Sequence, residues 1–377
     1  MSKWLKDNYH SQWILPNCLE RGIGIHHGRI PRAIAQKCVK LFNDGKIKYL
    51  ICTSTLIEGV NTKAKNVIIY DNKIARAKFD YFTFNNICGR SGRMFSHFIG
   101  NVFLFHNPPA AELPLVDFPI FSQNDDVPEK LLININEEDL RESSKQKLQK
   151  YFEQDILSKD VLKRNSYIDL DRQIRLASFI QENISKIYRG LKWNQYPDNA
   201  QLKLVCMLIW DYLIASNKMI CGVRSWEQLH FRINQYRKAG GIKDFIAVNT
   251  KDCETPDEIN EAIELSFDIQ RYWINFQFPR YLMSLGDIAN DIFKRQDLEP
   301  CDYSYFANLV ECYFIAPYVV PLDEYGLPIQ ISQKIGNVVQ ISSNIDEALT
   351  QLSGFVPSAD NFSNIEKEFI SEFQKYI

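Results

Sequence analysis

Residues 49 to 61 read Tyr-Leu-Ile-Cys-Thr-Ser-Thr-Leu-Ile-Glu-Gly-Val-Asn, an apolar, β-rich run that passes directly into a polar loop containing a glycine. A strand in a parallel sheet with both faces covered has this continuous apolar character rather than an alternating one, so Tyr49–Thr53 is expected to be a buried strand. The loop then lies at the strand's carboxyl end, where open α/β sheets place their ligands. Gly59 allows close backbone approach by a phosphate or ribose, and the hydroxyls of Thr53, Ser54 and Thr55 are suited to phosphate oxygens.

The same alternation extends on both sides. Gly24–His27 is expected to be a strand that enters a loop at Gly28, and Pro31 opens a helix whose apolar residues Ile34, Cys38, Leu41 and Phe42 share one face. Asn43, Asp44 and Gly45 stop that helix. Asn66–Tyr70 and Asn101–Phe105 are two further strands, with a helix between them ending near Arg93. Together these elements predict an α/β fold with a doubly wound parallel sheet. Pro108 and Pro109 close it, and an acidic, irregular connector follows through Asp125, Asp126 and Pro128. Beyond about residue 136 the pattern is amphipathic helix, as in Leu202, Val205, Cys206, Ile209 and Leu213, or Trp226, Leu229, Ile233 and Tyr236. The expected organisation is thus 1–109, a connector at 110–136, and a helical region at 137–377, with room for two subdomains.

Charge divides the chain along the same line. The net charge is −2, yet residues 1–107 hold sixteen Lys/Arg against six Asp/Glu, while the remainder is acidic. The basic part is the candidate for phosphate contact. Nine cysteines stand singly with no C-x-x-C pair, which suggests neither a disulfide framework nor a zinc site and fits reduced thiols in the cytoplasm. Asp211 interrupts the longest apolar stretch, Leu202 to Ala215, so no membrane span is expected.

A third segment, Asn86-Ile87-Cys88-Gly89-Arg90-Ser91-Gly92-Arg93, offers two guanidiniums three positions apart with glycines on either side. Arginine's planar fork meets phosphate oxygens bidentately and keeps its charge, so such a pair can neutralise charge developing on a transferring phosphoryl group. The plain alternative is a surface pair at the end of a helix. His26 and His27 read as strand-end packing residues, since no carboxylate or cysteine cluster accompanies them.

Taken in order, His26-His27-Gly28, Thr53-Ser54-Thr55-Leu56-Ile57-Glu58-Gly59-Val60-Asn61 and Gly89-Arg90-Ser91-Gly92-Arg93 resemble the second motor domain of the superfamily-two DExH-box helicases, in particular the Ski-type branch. The resemblance covers roughly residues 20–107. It implies a RecA-like domain in which Gly59 and Asn61 line the nucleotide cleft, with Glu58, Asn86 and Gly89 in the same nucleotide-facing segments. It implies further that Arg90 and Arg93 reach the ATP phosphates as arginine fingers. On the nucleic-acid side it implies backbone contacts by Thr53 and Gly28, with Ser54 next to Thr53. Arg29 and Arg32, beside Gly28, read equally as further phosphate contacts or as solvated residues at a helix start. Asn86 departs from the family's more usual Gln, which weakens the contact assigned to it.

No G-x-x-x-x-G-K-[ST] loop occurs, and the acidic pairs Asp323-Glu324 and Asp346-Glu347 lack a preceding phosphate loop. The first RecA-like domain is therefore expected to be missing and the second to be cut at its start, with ATP and Mg²⁺ bound mainly by a first motor domain supplied in cis or trans. Alone, the chain is expected to be inactive. The competing expectation is a noncatalytic binding or assembly module, or a helicase remnant, whose helical region meets a protein partner. Contacts of this kind address backbone, so DNA and RNA are not distinguished. The aromatic residues Trp193, Trp210, Trp226, Trp273, Tyr272, Tyr281 and Tyr313 read as helical core ahead of base-stacking surfaces, and Pro321 to Ile335 as a small docking segment.

Overall fold

The computed structural model describes residues 1–54, 62–74, 77–92, 99–112, 117–214 and 219–377. The chain forms two compact units that interleave along the sequence: Met1–Leu115, Ile246–Phe267 and Ala316–Ile377 make the first, and Val116–Phe245 with Asp268–Ile315 make the second. The basic N-terminal part thus shares a body with two later helical stretches.

In the first unit, α1 (Ser2–Asn8) and α2 (Ile14–Glu20) lead into β1 (Ile23–His26), α3 (Arg32–Asn43) and β2 (Tyr49–Cys52). There follow β3 (Asn66–Ile69), the short hairpin strands β4 (Lys73–Ile74) and β5 (Ala77–Lys78), α4 (Tyr81–Cys88) and β6 (Asn101–Leu104). β1 pairs with β2 in parallel, from Ile23↔Tyr49 to His26↔Cys52, and β3 pairs with β6 in parallel, from Asn66↔Asn101 to Ile69↔Leu104. Parallel pairing requires a crossover connection, which α3 supplies for the first pair.

The strands and their direction follow the sequence pattern, but their surroundings differ from the expectation. Among the described residues the strands form separate pairs rather than one continuous sheet, and Tyr49, Ile51, Ile68 and Phe103 are exposed rather than covered on both faces. A continuous apolar run reports the burial a strand is suited to; it does not supply the covering layer. α4 likewise ends at Cys88 rather than near Arg93, because the chain turns at Gly89.

The core of this unit sits around α3, where Ile34 and Cys38 are fully buried against β1. Gly24 permits this approach, since a Cβ there would stand 2.6 Å from Ile47 Cδ1. Trp4, Tyr9, Trp13 and Phe267 form an aromatic cluster, with Trp13 and Phe267 centroids 5.4 Å apart and Trp4 5.6 Å from Phe369. Such rings bury large areas and prefer tilted or edge-on packing. Lys37 is buried on α3 and its Nζ lies 2.8 Å from Glu372 and 2.9 Å from Glu368 on the helix Asn364–Phe373.

The second unit is helical. Asn199–Leu208 runs into a π-helical turn at Ile209–Leu213, and a second π-helical stretch, Ile269–Gln277, precedes the helix Phe278–Arg295. The wide turns bring Trp210 and Trp273 to 6.0 Å, and Trp273 Nε1 donates to the Ile220 carbonyl. Trp193, Trp210, Trp273 and Tyr313 are buried, while Trp226, Tyr272 and Tyr281 are partly so. No helix of the described residues is long and apolar enough to cross a membrane.

Candidate nucleotide and nucleic-acid interface

Two places in the first unit gather the residues singled out in the sequence. The first is the carboxyl edge of β1 and β2. Their register ends at His26↔Cys52, and Thr53 N donates to the His26 carbonyl at 3.1 Å, so Gly28 and Arg29 leave the edge beside Thr53 and Ser54. The loop after β1 is a compact turn in which the Arg29 and Ile30 amides both donate back to His27, at Nδ1 and the carbonyl respectively. Thr53 and Arg29 are exposed; Gly28 and Ser54 are half-buried. His26 is buried in the packing, and that burial lowers the imidazole's pKa, favouring the neutral ring.

The second place is the end of α4. Asp80 caps its start by accepting from Thr83 N at 2.8 Å, and the same hydrogen bond holds the Asp80 carboxyl below its ordinary range. Asn86 lies half-buried on the helix, Gly89 is its exposed C-cap, and Arg90 sits on the turn that follows, its amide bonded to the Ile87 carbonyl. Gly92 takes φ +76° and donates to the Ala64 carbonyl at 2.9 Å, a backbone shape that favours glycine. Gly100 is required on the other side, because a Cβ there would lie 2.5 Å from Gly92 N. The turn carrying Arg90 is therefore pinned to the chain entering β3 and β6. An arginine here also sits at the negative end of a helix dipole, a favourable placement in itself.

Glu58, Gly59, Asn61 and Arg93 lie outside the described residues. Among the described residues no group of three or more His, Cys, Asp or Glu is placed to hold a metal ion.

The structure adds acidic partners whose pairing no local sequence pattern announces. Glu264, on the helix Pro256–Asp268, places Oε2 3.0 Å from an Arg29 guanidinium nitrogen and Oε1 3.5 Å from His27 Nε2. The His27 hydrogen bond, with the charge of His27 and Arg29, holds the Glu264 carboxyl below its ordinary range. Asn260, one turn earlier, steadies it from Nδ2 at 3.4 Å and accepts from Ile14 N. Arg32 Nε meets Glu324 at 2.9 Å, and Asp323 accepts from the backbone of Arg32 and Ala33 at the start of α3. The segment Pro321 to Ile335 is thus seated on α3, with Leu322 and Leu327 buried. Glu264 is 235 positions from Arg29, a separation at which no local pattern could announce the pair.

Residues 6–95 match the helicase conserved C-terminal domain, a family whose fold is RecA-like, and this span contains all three motif segments. Residues 6–95 are thus similar to the C-terminal domain of helicases, which supports a helicase-related role. Over 355 residues, 91% of its length, it is 29% identical to "Anti-bacteriophage protein B" of Escherichia coli (strain K12). It is 38% identical over 80 residues to "DExH-box ATP-dependent RNA helicase DExH14" of Arabidopsis thaliana, which is 20% of this chain and 4% of that protein. It is 36% identical over 86 residues to "Exosome RNA helicase MTR4" of Mus musculus, 21% of this chain and 8% of the relative. The chain spans about half, 48%, of the bacterial relative's length.

Proposed function

We propose that this chain is the C-terminal part of an ATP-dependent nucleic-acid helicase of the Ski-type DExH-box branch, working with a first RecA-like domain in cis or in trans. The observation that carries this reading is the match of residues 6–95 to the helicase conserved C-terminal domain, which takes in the β1–β2 edge and the α4 turn together. Gly28, Arg29, Thr53 and Ser54 contact the nucleic-acid backbone from that edge. Arg90, with Arg93, acts on the ATP phosphates as an arginine finger, and Gly59, Asn61, Glu58, Asn86 and Gly89 face the nucleotide.

Bound ATP would supply the phosphoryl group that is hydrolysed. For this chain the matching chemistry is Arg90, a permanent cation held on a glycine-pinned turn at a fixed place. Mg²⁺ coordination is assigned to none of the described residues. The domain boundaries 1–109, 110–136 and 137–377 are kept as a description of sequence order, and the helical region is the candidate surface for a protein partner. This reading puts the protein in the cytoplasm.

The experiment is to supply the first motor domain by fusion or in trans and to measure ATP hydrolysis with matched DNA and RNA single strands. Strand-stimulated turnover that disappears in Arg90→Ala supports the helicase reading; strand binding without any turnover in the reconstituted pair favours the noncatalytic module. The likeness to the Escherichia coli protein over 91% of this chain supports a second element, a role in defence against bacteriophage. Plating efficiency of phage on cells carrying the wild-type or the Arg90→Ala gene tests it, and equal plating on both argues against it.

A further inference from the structure

The loop between β1 and α3, the strand-contacting loop of the proposed function, carries His27 and Arg29 and leads into Arg32 at the start of α3, and a carboxylate from elsewhere in the same unit reaches each of the three. Glu264 pairs with His27 and Arg29, and Glu324 pairs with Arg32. A carboxylate bonded to an arginine presents the same paired anionic oxygens as a phosphodiester. Arg29 is half-exposed, at 52%, whereas Glu264 is mostly buried, at 21%, and is braced by Asn260 from its own helix. The acid is thus the fixed member of the pair and the arginine the outward-facing one.

We infer that Glu264 is an internal stand-in for a nucleic-acid phosphate, occupying Arg29 and His27 until an entering strand displaces it, so that the helix Pro256–Asp268 sets a threshold for strand engagement. The inference rests on the proposed contact between Arg29 and the nucleic-acid backbone. In this arrangement a strand phosphate competes with the Glu264 carboxylate for Arg29, so part of the electrostatic attraction is withheld. A weak, lone phosphate or a low-charge ligand does not open the site, while a strand that makes several simultaneous contacts does.

The test uses the full chain and fluorescein-labelled oligothymidylate and oligouridylate, with affinity measured across a range of salt. Glu264→Gln keeps the shape of the side chain and one of its two acceptor oxygens but removes the competing charge. It is expected to tighten strand binding about three- to fivefold, the scale of a partly exposed ion pair, and to steepen the salt dependence by about 0.7 for the one added phosphate contact. Arg29→Ala placed on Glu264→Gln should abolish that gain. Glu264→Asp retracts the carboxylate by one methylene at constant net charge and should tighten binding by a smaller factor, which keeps the test open if the glutamine variant melts early. Glu20→Gln, which removes one charge from the exposed Lys6 pair, sets the background effect of net charge. Wild-type affinity in Glu264→Gln with weakened binding in Arg29→Ala overturns the stand-in and leaves the strand contact in place. Unchanged affinity in Arg29→Ala removes the contact itself. A gain in Glu20→Gln equal to that in Glu264→Gln also overturns the inference, since net charge alone then explains it.

Discussion

The first unit contains two strand–helix–strand stretches of similar pattern and very different support. Around β1, α3 and β2 the helix buries Ala33, Ile34, Ala35, Lys37, Cys38 and Val39, and helices from residues 246–267 and 316–377 pair with charged residues of the preceding loop and of the helix itself. Around β3, α4 and β6 the helix buries no residue, and Ile68, Tyr70, Phe103 and Phe105 are exposed, with Tyr70 and Phe105 resting on each other at 5.8 Å. The difference separates the two proposed jobs. The edge proposed to meet a nucleic-acid strand is buttressed by the chain's own later helices, whereas among the described residues the turn that carries Arg90 is pinned through Gly92 and Gly100.

The sharpest way to break this comparison is at Lys37. Its ammonium is nearly fully buried and has Glu368 and Glu372 as counter-charges, so Glu368→Gln with Glu372→Gln strands a cation in the core. Removing the partners of a buried charge costs about 3–5 kcal/mol, and the loss should appear as an early urea transition. Adding Lys37→Met to the pair should recover most of it, because a triad replaced as a whole is often near neutral. A double variant that unfolds like the wild type would show that the tie between α3 and the helix Asn364–Phe373 contributes little.

Next in size is the division of labour between the two places. With a first motor domain supplied, Arg90→Ala should slow hydrolysis roughly a hundredfold, about 3 kcal/mol, while strand binding stays near wild type. Thr53→Val should do the reverse, weakening strand binding and stimulation with little change in the basal rate. Should Arg90→Ala lose strand affinity and keep its turnover, the turn belongs to the nucleic-acid track instead.

A third, smaller expectation concerns the exposed strands. Ile68→Ala removes a side chain that is 64% exposed and should move stability by no more than about 0.5 kcal/mol, whereas Ile34→Ala, at full burial, should cost about 2–5 kcal/mol. Comparable losses, read from denaturant midpoints, would mean that the two stretches are equally supported.

Much of this was legible in the sequence because it is local. Strands, the α3 face and its glycine stop follow from spacing within a dozen residues, and the order of three motifs points to a helicase. The exposed strand faces were not legible, since residue type records the environment a strand suits and not the layer that covers it. Lys37 reads as a solvated helix cation until Glu368 and Glu372 arrive from more than 300 positions away. Asp323-Glu324 offered a different lesson: set aside as an imitation of the acidic helicase motif, the pair turns out to serve α3, one acid at its first amides and the other on Arg32.

The last expected effect belongs to that Asp323. Burial first, and the neighbouring Glu324 second, push its carboxyl up to about 7, while the Arg32 and Ala33 amides pull the other way. In the unfolded chain the group should titrate near its ordinary value of 3.8. Between those two values the folded state keeps a proton that the unfolded state releases, so the contribution of Asp323 favours folding at the acid end. It then erodes as pH climbs from about 4 to about 7, after which it is flat. Asp323→Asn mimics the protonated form at every pH. Its stability relative to wild type should therefore rise across that window, as read from paired denaturant titrations at pH 5 and pH 8, with other titrating groups cancelling in the difference. A wild type that instead gains on the asparagine variant as pH rises would mean that the two amides at the start of α3 dominate. Asp323 would then be an ionised helix cap supplied from a distant part of the chain.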